Sequence, residues 1–178
     1  KCAFPGSTSN HHLFTLPSLL MAAYEMMEFG QDYVRQVIAN ARHLAKSFDA
    51  EGIEVCGKEF GYTDTHQVNV NVKKFGGGGK VEVVLKDNDI ILNRNLLPGD
   101  PPKKLNNPSG LRIGVQEMTR FGMKEAEMKR IGGWIGHALK NIEDTVVLLQ
   151  VGQEVRSLTD RFQYYRHRLA EPAPASVD

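Results

Sequence analysis

The feature that most constrains this chain is a change of hydrophobic period at Gly52. Before it, Tyr33, Val34, Val37, Ile38, Ala41, Leu44, Ala45 and Phe48 recur at intervals of three and four, which gathers apolar side chains on one helix face. After it, Val68, Val70 and Val72 alternate with Gln67, Asn69, Asn71 and Lys73, the two-residue period of a strand with one buried and one wet face. A chain that switches period in this way is neither a coiled-coil rod nor a helical bundle. It must lay helices against a sheet.

The remaining elements follow from the same reading. A loop over 4–10 ends in Ser9 and Asn10, both able to cap a helix. Leu19, Leu20, Ala23, Met26 and Met27 then predict a helix over 16–29 with Gly30 as its C-cap, and a second helix runs over 32–50 and closes at Gly52. Short strands are expected at 53–55, 90–92 and 111–115. Val81, Val84 and Leu85 suit a short helix, although so brief a Val-rich run also fits a strand. Met128, Ile131, Ile135, Ala138 and Ile142 predict a long amphipathic helix with Glu125 and Glu127 in its first turn. Val151, Val155, Leu158, Phe162, Tyr165 and Leu169 form a last helical seam, and the stretch from Glu171, with Pro172 and Pro174, reads as disordered. The fold class is α+β with an antiparallel or mixed sheet. The first two helices have no sheet of their own, so they are expected to cover something outside this segment: a further domain or a second subunit.

Composition narrows the function. With 178 residues the chain is about one domain or one and a half. Lys and Arg total 22 against 21 Asp and Glu, a formal charge of +1, so there is no overall field to collect nucleic acid or anionic lipid. Cys2 and Cys56 make no CxxC pair, which points to a reducing, cytoplasmic setting. The apolar stretch over 16–23 is broken by Pro17 and Ser18 and is far short of a membrane span. The chain opens at Lys1, without Met, close to a Pro-Gly turn, and reads as a portion of something longer.

Most motifs have a plain reading. Gly76 to Gly79 followed by Lys80 resembles a phosphate loop, but Val81 stands where Ser or Thr is required, so a flexible turn is expected. His11, His12, His43, His66, His137 and His167 form no metal-binding pair, and no metal is expected. Asn10 breaks a GxSxG pattern. Arg156, Arg161, Arg166 and Arg168 alternate with acids on a wet helix face. Arg112 is different. It lies mid-strand between Leu111 and Ile113 and is flanked by Gly110 and Gly114, where small neighbours leave room for a guanidinium to bind a carboxylate through two parallel hydrogen bonds.

Four ordered blocks then carry a family resemblance. Ser109-Gly110-Leu111-Arg112-Ile113-Gly114, with Thr119-Arg120 and the run from Gly122 to Met128, resembles the SGxRxG…TRxGxKExEM block of serine hydroxymethyltransferases. Phe4-Pro5-Gly6-Ser7 resembles that family's FPG turn, Thr63-Asp64-Thr65-His66 its TDNH, and residues 91–98 its NKN segment before Pro. The resemblance implies the C-terminal part of a fold-type-I pyridoxal-phosphate enzyme: 1–50 as the end of a large domain and a connecting helix, 51–145 as the small α+β domain, 146–178 as a C-terminal helix and tail. It implies a homodimer that moves a one-carbon unit between serine and a reduced pterin or folate, leaving glycine. Arg112 would bind the substrate carboxylate, Ser9 and Asn10 the cofactor phosphate across the dimer interface, and Asn95 the pterin, although Asn95 also suits a turn ahead of Pro98. The Schiff-base Lys lies upstream of the FPG turn in the family and has no counterpart here, so the chain alone is expected to be inactive.

One departure bears on the substrate. Thr8-Ser9-Asn10-His11-His12 replaces the bacterial QGGP and is closer to the archaeal branch, but a Ser-Asn pair also occurs in threonine transaldolases. Threonine aldolase or transaldolase chemistry with another acceptor is therefore one alternative. A non-catalytic stand-alone fragment is the other.

Overall fold

The computed structural model describes residues 13–162, so the Phe4-Pro5-Gly6-Ser7 block, Ser9, Asn10, Tyr165, Leu169 and the tail lie outside the described residues. By its contacts the chain divides into two units, Lys1–Arg35 and Gln36–Asp178.

One long helix, α1 (Thr15–Ala50), replaces the two that the sequence predicts. Gly30 does not end it. A terminating glycine usually turns to positive φ, which Gly30 does not do, and inside a helix it costs about 1 kcal/mol, too little to break apolar seams that continue on either side. Pro17 is tolerated because it falls in the first turn, where its missing N–H has no partner to lose. The true stop is Gly52, at φ 74°, whose amide donates to Asp49 O at 3.0 Å. In the first unit the helix is apolar on all sides and uncovered, with Leu19 67% and Met27 82% exposed.

The second unit is α+β, as predicted. Its sheet is antiparallel throughout, in the order β1-β2-β4-β3, formed by β1 (Glu54–Val55), β2 (Gln67–Asn71), β3 (Asn93–Asn95) and β4 (Gly110–Gly114). The helices are α2 (Gly78–Lys86), α3 (Gln116–Arg120), α4 (Glu125–Lys140) and α5 (Thr145–Arg161). Val68, Val70, Leu111 and Ile113 supply the buried face of the sheet, while Ala41, Leu44 and Phe48 of α1, Val81 and Leu85 of α2, and Met128, Ile135 and Leu139 of α4 are buried with them. Asn40 ties α1 to this region: its buried Nδ2 donates to Thr119 Oγ1 in α3 at 2.9 Å and to Met123 O in the turn before α4 at 2.8 Å.

Two further expectations change. The strand predicted at 90–92 forms instead at Asn93–Asn95, because the Ile90 amide is held by Leu85 O of α2 and Leu92 is buried while the polar residues that follow meet β4; Ile91 is 85% exposed. Nor is the glycine run a flexible turn. Gly76 and Gly77 take φ of 103° and 91°, and a Cβ on Gly78 would stand 2.5 Å from Gly110 O, so α2 begins where backbone presses on backbone. The amides a phosphate would need are already used, Gly78 N by Pro108 O at 2.7 Å and Gly79 N by Asn107 Oδ1 at 2.9 Å.

Candidate active site

Antiparallel pairing gathers three of the four family-like blocks into adjacent strands. Thr63 to His66 leads into β2, 91–98 contains β3, and 109–114 contains β4 between them. In the register, Asn69, Arg112 and Asn93 stand in one row across the sheet, and Asn71, Gly110 and Asn95 in the next. Residues two apart share a face, so Arg112 stands among four asparagines on the face opposite the core.

Arg112 is exposed, and no carboxylate among the described residues pairs with it. The space beside it is not empty, however. A Cβ on Gly110 would lie 2.5 Å from the Leu97 side chain, and one on Gly114 would lie 2.6 Å from Gln116 Oε1. The flanking glycines thus admit Leu97 and Gln116 rather than a ligand, and the guanidinium extends from a floor those two side chains help to fill.

Asn95 is half-buried, and its Nδ2 donates to Leu96 O at 2.9 Å. One of its donors therefore serves the local turn. The loop that follows is pinned by Asp100, whose carboxylate accepts from Ser109 Oγ at 2.6 Å, Ser109 N at 2.8 Å and Leu97 N at 3.1 Å. The hydroxyl and amide of Ser109, then the amide of Leu97, hold this carboxyl down at about 2, with Lys104 adding to the effect. At the opposite end of the sheet, Arg42 of α1 donates to Thr63 O at 3.0 Å and pairs with Asp64, fixing the approach to β2.

Sequence reasoning missed Asn69, Asn93 and Asp100. A signal was present: asparagine is depleted in strands, yet it occupies positions 69, 71, 93 and 95, all on one face.

Comparison with known proteins decides the family. The serine hydroxymethyltransferase family model matches residues 1–135. The chain belongs to the serine hydroxymethyltransferase family. It is 47% identical to the serine hydroxymethyltransferase of Archaeoglobus fulgidus over 171 residues, 96% of this chain and 38% of that protein. It is 44% identical to that of Aeropyrum pernix, over 95% of this chain and 38% of the relative. The chain thus spans about two fifths of the length of the relatives it matches. Among solved structures it resembles an L-threonine transaldolase from Pseudomonas fluorescens in its internal aldimine state, at TM-score 0.76 and 31% identity, over 89% of this chain and 34% of that one. The fold is accordingly that of the small α+β domain of a fold-type-I enzyme.

Proposed function

We propose that this chain is the C-terminal portion of a serine hydroxymethyltransferase that interconverts serine and glycine, with a reduced pterin as one-carbon carrier. The supporting observation is Arg112: a guanidinium unpaired among the described residues, on the polar face of the sheet, inside the most extensive family block, on a strand paired along both edges. In a partly dry site it takes the substrate α-carboxylate through two parallel bonds and so fixes which bond at Cα stands ready to break. Asn95, next to it on the same face, offers a carboxamide to the pterin.

Pyridoxal phosphate, when bound, supplies the electron sink for that cleavage. The start of α2 provides no cradle for its phosphate, since its amides are bonded to Pro108 and Asn107. Ser9 and Asn10 are the residues of this chain proposed to reach it, and the Schiff-base Lys belongs to the preceding large domain. The uncovered apolar helix of the first unit is the surface that domain and a second subunit would bury, and a cytoplasmic homodimer is part of this reading. We assign 1–50 to the end of the large domain and its connecting helix, 51–145 to the small domain, and 146–178 to a C-terminal helix and tail.

Arg112→Ala in the full-length enzyme tests the proposal. Loss of a desolvated bidentate pair is expected to cost about 2–5 kcal/mol, or roughly 30- to several-thousand-fold in kcat/KM for serine. Arg112→Lys should recover little, because an ammonium cannot form the fork. Ethanolamine, which lacks the carboxylate, should bind both variants as it binds the parent. A variant that melts early but handles serine normally would make Arg112 a strand residue and nothing more. The transaldolase neighbour favours one second reading, threonine-type cleavage with another acceptor. Turnover of serine that requires reduced pterin separates the two.

A further inference from the structure

Among the described residues, one buried side-chain polar atom has no hydrogen-bond partner: Asn69 Oδ1. The other buried asparagines among the described residues are bonded. Asn40 gives its Nδ2 to Thr119 and Met123 and accepts from Gln36 at 3.0 Å, and Asn88 donates to Val84 O at 2.8 Å. An acceptor shielded from water with its bond unmade is unfavourable, so a group meant to serve it should lie close by.

The candidates can be counted from the register. Across β2–β4 the residue directly opposite Asn69 is Arg112, and such a pair holds its Cβ atoms about 5 Å apart on one face. On the other side the β1–β2 ladder continues to Cys56, whose amide donates to Asn69 O at 2.9 Å. The Cys56 thiol, pushed up by burial and by Glu54 and Glu59, stays protonated and is a weak donor. Along β2, Asn71 is engaged, donating to Glu54 Oε2 at 3.0 Å and accepting from Lys73 N at 3.0 Å. Arg112 remains. It carries a fork of N–H donors, and no bond or ion pair among the described residues uses them.

We propose that Asn69 is a positioning residue for Arg112: its Oδ1 accepts one guanidinium N–H and holds the fork in the plane in which it takes a carboxylate. This rests on the assignment of Arg112 to carboxylate binding. The chemistry suits the task. A neutral acceptor orients the guanidinium without cancelling its charge, whereas an aspartate at 69 would neutralise it and compete with the ligand. Fixing the fork before the ligand arrives removes ordering that binding would otherwise have to bring about. The bond forms as Arg112 turns in from solvent, and the buried oxygen marks where the guanidinium settles.

The test is a double-mutant cycle in the full-length holoenzyme, with serine and ethanolamine as ligands. Asn69→Leu removes the acceptor and keeps the volume. Serine affinity should fall about 10-fold and ethanolamine affinity should not move. Thermal stability should change little, since the guanidinium released from Asn69 returns to water. In an Arg112→Ala background the Asn69→Leu change should cost serine nothing further. Asn69→Asp should also weaken serine binding, more strongly as pH rises and the new carboxylate ionises. Unchanged serine affinity in Asn69→Leu, or an undiminished loss without Arg112, overturns the proposal. If Arg112→Ala by itself leaves serine binding intact, the carboxylate assignment has failed instead. A crystal structure then decides Asn69: its Oδ1 within about 3.2 Å of an Arg112 nitrogen sustains the pairing, and any other donor there ends it.

Discussion

Two consecutive glycines of α4 should respond in opposite directions to the same change. A Cβ on Gly132 would stand 2.4 Å from Ser47 Oγ and 2.5 Å from Ser47 Cβ, where α4 crosses α1. Neither atom can yield easily. Ser47 Cβ is fixed to the α1 backbone, and Ser47 Oγ donates to Lys129 O at 3.0 Å. Gly132→Ala gains about 1 kcal/mol of helix propensity but forces the helices apart, at about 1–3 kcal/mol, and strains a hydrogen bond worth about 1 kcal/mol. The net expectation is a destabilisation of about 1–3 kcal/mol. At Gly133, one residue on, a Cβ meets nothing within 4 Å, so Gly133→Ala keeps the propensity gain of about 1 kcal/mol. Urea unfolding of the full chain followed by circular dichroism reads both changes, with the slope unchanged and the midpoint moving down for the first and up for the second. Ser47→Gly should restore much of what Gly132→Ala loses. If both alanines shift the midpoint in the same direction, close contact between α4 and α1 is not what selects glycine at 132.

Two other predictions concern the residues that hold β4. Asp100 titrates at about 2 in the folded chain against an ordinary 3.8, so its contribution to stability is complete above about pH 4 and disappears as pH falls towards 2; Asp100→Asn should flatten the acid limb of the unfolding curve across that window. Asn40→Asp would replace a donor with a carboxylate facing Met123 O in a fully buried site, and should destabilise by about 3 kcal/mol or more at pH 7, less at pH 4 where the new group is protonated.

What the sequence made legible was whatever period or turn chemistry carries alone. Val68, Val70 and Val72 announce a half-buried strand, Gly52 announces a helix end, and the α+β class follows. Arg112 stood out because the glycines at 110 and 114 put small neighbours on either side of a mid-strand guanidinium. What stayed hidden depends on contacts distant in sequence. Gly30 looks like Gly52 as a letter, and only the absence of a left-handed turn tells them apart. Gly76 to Gly79 look like a hinge until Gly110 and Asn107, about thirty residues on, are brought against them. Asn69 and Asn93 belong to different strands, and their row with Arg112 exists only once the register is set.

The contrast between Arg94 and Arg112 bears on function more directly than either residue alone. They occupy neighbouring strands, one register step apart, and carry the same side chain. Arg94 is settled: its guanidinium pairs with Glu82 at 3.3 Å and its amide donates to the same carboxylate at 3.2 Å. Arg112 has no such partner among the described residues, yet its strand is anchored along both edges. Leu111 and Ile113 on either side are buried, and Ser109 is clamped by Asp100. Val115 beyond the strand donates to His66 O at 3.1 Å and accepts from Thr119 Oγ1 at 2.7 Å, and Asn40 holds that threonine. An arginine kept for stability would resemble Arg94, with its charge answered inside the fold. A paired strand carrying a guanidinium unanswered among the described residues is what the proposed carboxylate contact requires, since little ordering of the chain is then left for the ligand to bring about.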